Sequence, residues 1–117
     1  INGRCSVSIA DWDGNGVECN VSFNIYFYGD ISKVVIHRTG DLAKWNSKKD
    51  FTFDLENEKS PFQTNIKMHF SDGDNFIPVT IYDKHGNHRK TKIKQTALFT
   101  RVPSNDINID NNINIWD

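Results

Sequence analysis

A chain of 117 residues, 37% apolar and 25% charged, makes one compact domain, long enough to bury a core yet too short for a doubly wound nucleotide-binding enzyme or a TIM barrel. Its 14 basic and 15 acidic residues leave a net charge of -1, which gives no electrostatic case for nucleic acid or an anionic membrane surface as partner. No apolar run approaches the roughly 18 to 20 residues of a spanning helix, so membrane insertion is not expected.

Period-2 alternation dominates. Cys5, Val7 and Ile9 alternate with Ser6 and Ser8, and the turn formers from Asp11 to Gly16 follow. From Val17 to Phe27 every second residue is apolar, which predicts a long half-buried strand hairpinned to the first. Lys33 to Arg38 is β-branched and predicts a third strand, Asp41 to Asp50 a polar loop, and Phe51 to Leu55 a short fourth strand. Phe62, Thr64, Ile66, Met68 and Phe70 alternate with polar residues in a fifth. A turn at Ser71 to Asp74 leads to a sixth strand, Phe76 to Tyr82, with Ile77, Val79 and Ile81 inward. Pro78 lacks an N–H, so its amide side should face an edge, a bulge or solvent. After Asp83 to Asn87 the seventh strand runs from His88 to about Gln95. Beyond the domain at 1–102, residues 103–117 are rich in Asn, Asp and Ile and read as a tail or linker, with an added strand through Ile107, Ile109, Ile113 and Ile115 as an option.

Seven strands at roughly ten-residue spacing without a convincing helix predict an all-β, antiparallel sandwich, with a small closed barrel as the rival. The run from Gly73 to Asn87 has a Gly-x-Asn start, alternating apolar residues and an Asp-x-x-Gly-Asn close. It resembles the penultimate-strand signature of bacterial immunoglobulin-like and fibronectin-III-like modules, a likeness that extends by strand count over about residues 5 to 96. The resemblance implies an immunoglobulin-like sandwich used as one bead of a larger secreted, periplasmic or cell-surface protein. A start at Ile1 rather than Met is likewise expected of a processed chain or a piece of a longer one, with neighbouring domains in the same polypeptide. The chain departs from antibody domains: it has no Trp on the third strand, and Cys5 and Cys19 lack the long spacing of their bridge.

Candidate sites are few. If Val7 faces Val17, the same register sets Cys5 opposite Cys19; a disulfide, implying an oxidising compartment, and a pair of buried thiols are both open. Asp11-x-Asp13-x-Asn15-Gly16 matches the first half of an EF-hand loop, so calcium is the one cofactor to consider, but Glu18 and Ser22 stand where that loop needs an apolar residue and a bidentate Glu. A plain hairpin turn recruits the same residues. His85 and His88 flank a turn as a two-ligand set that lacks a third member. No nucleophile elbow, zincin motif or phosphate loop is present. The expected function is therefore non-catalytic: binding or spacing within an exported protein, contacting a protein or glycan. The alternative is a small secreted hydrolase or accessory domain with loop-borne chemistry. Candidate contact residues are Trp12 at a loop tip, Tyr26 and Tyr28 facing away from the core, and Lys90, Lys92 and Lys94 along an edge strand.

Overall fold

The computed structural model describes residues 1–38 and 48–99; most of the expected loop at 41–50 and the tail at 103–117 lie outside them. The described residues form seven strands and no helix: β1 (Arg4–Gly14), β2 (Cys19–Tyr28), β3 (Ile31–His37), β4 (Asp50–Asp54), β5 (Phe62–Met68), β6 (Gly73–Asp83) and β7 (His88–Ala97). Every pairing is antiparallel, in a three-stranded sheet ordered β1-β2-β5 and a four-stranded sheet ordered β4-β3-β6-β7. The two sheets face each other through their alternating apolar rows. Val21, Phe23 and Ile25 of β2, Val34 and Ile36 of β3, and Ile77, Val79 and Ile81 of β6 are all buried in one cluster. Leu55 and Phe70 close it from the ends of β4 and β5.

The first hairpin departs from the expected register. β1 does not stop at Ile9 but runs on to Gly14, and the turn is the shorter Asn15–Glu18 segment. Arg4 pairs with Tyr28 and Gly14 with Cys19, so Cys5 lies opposite Phe27. Phe27 lies eight positions along β2 from Cys19, roughly 26 Å at the strand rise, whereas a disulfide needs Cα atoms about 4.4–6.8 Å apart. The expected facing pair is thus corrected: Cys5 and Cys19 are free thiols at opposite ends of the hairpin. Val17, expected inward, is exposed in the turn.

A bulge explains the other departure. The β1–β2 register shifts between Ile9 and Asp11, so the inward face moves from odd to even positions and Trp12 lies opposite buried Val21. Trp12 is accordingly not at an exposed loop tip. It is half-buried, with its ring edge-on to Phe70 at 5.2 Å and to Phe99 at 5.8 Å.

Two side-chain knots account for the motif at 73–87. Asn75 Nδ2 donates to the carbonyls of Ser71, Gly73 and Gln95 while its Oδ1 accepts from the Ser71 N–H, which fixes the start of β6. At the other end Asp83, only 2% exposed, accepts from the N–H groups of Asn2, His85 and Asn87 and from Asn87 Nδ2, at 2.9 to 3.1 Å. These bonds, the Asn2 N–H foremost, hold its carboxyl at about 2 against the opposing effect of burial. Pro78 sits one residue past the last β3 pairing, Ile36 with Val79, so a central strand tolerates it where that ladder has ended.

Candidate binding face

The outer face of the three-stranded sheet is built by what β2 turns away from the core. Tyr28 pairs with Arg4, Tyr26 with Ser6, and Asn24 lies between Ser8 and Gln63. One row on, Ser22 lies between Asp11 and Asn65. Tyr26 and Tyr28 are 47% and 64% exposed, as expected, on successive same-face positions roughly 7 Å apart. Ser22 Oγ donates to Asn65 Oδ1 at 2.6 Å, and Asn24 Nδ2 donates to the Tyr26 hydroxyl at 3.5 Å. Asn24 Oδ1 is shielded and has no partner, so turning that amide toward a ligand breaks no bond at the oxygen.

Between Arg4 at one end and Asp11 at the other, this face carries hydroxyls, amides and two phenol rings and no charge. The charges lie past Ser22, where Lys67 Nζ meets Glu18 Oε1 at 3.1 Å. At the tyrosine end Tyr26 and Tyr28 themselves line a cleft of about 750 Å³, which they share with Arg4, Ser6, Ser60 and Arg89. Burial pushes the Cys5 thiol up to about 11, more than the nearby Arg89 charge lowers it, so very little of it is thiolate at neutral pH.

The remaining candidates are dispersed. Asp11 and Asp13 lie in β1, where extended backbone cannot wrap a cation, and their oxygens accept from the Trp12 N–H and Asn20 Nδ2. Asn15 Oδ1 accepts from the Glu18 N–H as an ordinary turn residue. The EF-hand half-match is therefore strand plus turn. Among the described residues no three His, Cys, Asp or Glu side chains gather around a common point. No family model, curated protein or solved structure matches this chain.

One arrangement had no signal in the sequence. His37 Nδ1 meets Asp50 Oδ1 at 2.7 Å and His37 Nε2 meets Thr80 Oγ1 at 3.2 Å, joining β4, β3 and β6 across the outer face of the four-stranded sheet. Asp50 and Thr80, 13 and 43 positions from His37 in the chain, become its neighbours only through register. The order of groups is that of a hydroxyl–imidazole–carboxylate relay. Thr80, however, is 6% exposed and paired with both Val35 and Lys90, so its backbone is committed to two ladders and presents no oxyanion-binding N–H pair. The set acts as a cross-strand clasp. Lys90, Lys92 and Lys94 lie on this same outer face, on β7, opposite Thr80, Pro78 and Phe76.

Proposed function

We propose that this domain is a non-catalytic module of the immunoglobulin-like or fibronectin-III-like kind, part of a larger exported or cell-envelope protein, which binds a neutral carbohydrate on the outer face of its three-stranded sheet. The strand order β1-β2-β5 against β4-β3-β6-β7, and the turn knots at Asn75 and Asp83 that give the Gly-x-Asn and Asp-x-x-Gly-Asn motif its purpose, support the architectural half. Export rests on the resemblance alone, since the register removes the disulfide that would have argued for an oxidising compartment.

The uncharged Ser, Asn, Gln and Tyr face carries the binding half. Exposed phenol rings offer flat apolar surface with a polar handle, and amides and hydroxyls both donate and accept, as a sugar's hydroxyls require. A protein partner would call for a desolvated apolar centre, and this face has none beyond the two rings. An anionic ligand would find counter-charge only at the tyrosine end, where Arg4 and Arg89 share the cleft with Tyr26 and Tyr28, and none along the Ser, Asn and Gln rows that make up the rest of the face. The hydrolase alternative has only the Thr80–His37–Asp50 clasp in its favour; His37 and Thr80 border a cleft, but the backbone of Thr80 is committed to two ladders and offers no oxyanion-binding N–H pair there.

Affinity electrophoresis of the full chain through gels containing neutral polysaccharides (glucans, mannans, galactans, xylans) tests this reading. At least one should retard the domain, without dependence on salt. Replacing Tyr26 and Tyr28 together by Ala should weaken retardation at least about tenfold while the melting temperature stays within a few degrees, since both rings are exposed. Retardation by none of the panel, or retardation indifferent to both tyrosines, would overturn the assignment of this face.

A further inference from the structure

The four-stranded sheet has two unlike edges. β7 pairs with β6 on one side only, and β4 pairs only with β3, so among the described residues each leaves a row of backbone N–H and C=O groups without a ladder partner. Outward from β7 project Lys90, Lys92 and Lys94, none with a carboxylate partner among the described residues; Lys92 Nζ lies 4.8 Å from the Phe76 ring. Outward from β4 project Asp50, Thr52 and Asp54, all exposed. The outward side chains of β7 are cationic and those of β4 include two carboxylates, on the same outer face of the same sheet; Asp50 already meets His37 through one oxygen and Asp54 lies opposite Lys33.

We propose that β7 of one copy pairs with β4 of a second copy, so that the domain associates head to tail through a continuous sheet. Three features fit. The lysines at 90 and 94 and the aspartates at 50 and 54 are each four residues apart, so the register that sets Thr52 beside Lys92 brings both carboxylates to both ammonium groups. The strand directions alternate through β4, β3, β6 and β7, and an even number of strands means that a copy moved by translation alone presents β4 antiparallel to β7. The seams between the two sheets also match. Val7, Ile9 and Ile93 are half-buried on the β1/β7 side, and Phe51, Phe53 and Phe62 are half-buried on the β4/β5 side, so each seam covers the apolar residues that the other leaves partly open.

The second copy is the occupant because an extended strand alternating phenylalanine with acidic residues is already displayed by β4 itself. Lysines at a strand edge also discourage pairing with other cationic edges, so the same residues that accept β4 reject a second β7. A heterologous contact of this kind does not close on itself by two-fold symmetry and propagates or forms a ring.

Sedimentation equilibrium of the full chain from 10 μM to 1 mM tests the contact. Association should rise with concentration without stopping at a dimer, and raising salt from 50 to 500 mM should weaken it by about fivefold or more, as exposed ion pairs are screened. The double variant Lys90→Glu/Lys94→Glu and the double variant Asp50→Lys/Asp54→Lys should each be monomeric, with melting curves confirming that both are folded. Mixed one to one they should associate again, because an acidic β7 then meets a basic β4. A native chain that stays monomeric to 1 mM, association that survives either double variant, or a mixture that stays monomeric would each overturn the proposal. A monomeric chain whose β7 still takes up a synthetic Asp-Phe-Thr-Phe-Asp peptide would do so too, and would make the occupant another protein's acidic strand.

Discussion

Replacing Trp12 by Ala separates a packing role from a binding role. The ring is half-buried, edge-on to Phe70 and Phe99, and lies in the stretch that the bulge after Ile9 turns inward. Truncating a fully buried Trp costs about 3–5 kcal/mol, so a half-buried one should cost about 2 kcal/mol through area and cavity. Two edge-to-face contacts at about 0.5 kcal/mol each bring the total to about 3 kcal/mol. With a urea dependence of about 1.5 kcal/mol per molar, the midpoint of unfolding should fall by about 2 M. Urea titration followed by far-ultraviolet circular dichroism measures this, and Trp12→Phe, which keeps one ring, should recover about half of the loss. A midpoint shift below about 0.5 M would show that the ring does not staple β1 to the residues after β5 and β7. Polysaccharide retardation lost in a Trp12→Ala protein of unchanged midpoint would return Trp12 to the role of contact anchor.

Two further outcomes follow from the same geometry. Alkylation of the unfolded chain without reductant should add two groups by intact mass, whereas in the native state Cys5 should react slowly even at pH 8, because burial holds its thiol up at about 11; a mass with no added group would contradict the hairpin register. Asp83 has a folded value of about 2, below the ordinary carboxylate value near 4, so its contribution is complete above about pH 4 and is lost as the pH falls toward 2. Melting temperatures measured from pH 7 to pH 2 should therefore fall less steeply below pH 4 in Asp83→Asn than in the native chain, from a lower starting point; parallel curves would show that the knot does not govern acid stability.

The strands were legible because each buries one face, and a period of two survives in sequence wherever that holds: Phe62 to Met68 and Phe76 to Tyr82 fall where alternation puts them. The first hairpin was not, because Asp, Gly and Asn residues serve equally as turn formers and as the outward residues of a strand end. A bulge at one alanine reverses which residues of Asp11 to Gly14 point inward, and nothing local announces it. Both corrections, the separated cysteines and the half-buried Trp12, descend from that one residue and the length of the turn. The exposure of Tyr26 and Tyr28 was readable from β2 alone. The uncharged character of their face was not, since it draws Ser6 and Ser8 from β1 and Gln63 and Asn65 from β5, and only pairing brings them together.

The two ends of the described chain are fastened at opposite poles. Asn2 is tied to Asp83 at the C-terminal end of β6, while the Phe99 N–H bonds to Asp72 just before its start and the Phe99 ring rests on Trp12. The eleven residues of β6 put roughly 33 Å between those anchors. Tension applied between Asn2 and Phe99 runs along the strands, so it slides β1 against β2 and β7 against β6 and loads each ladder in shear, all bonds at once, instead of opening it one rung at a time. Rupture under such a load requires many hydrogen bonds to fail together, which makes this arrangement of fastenings one that resists stretching.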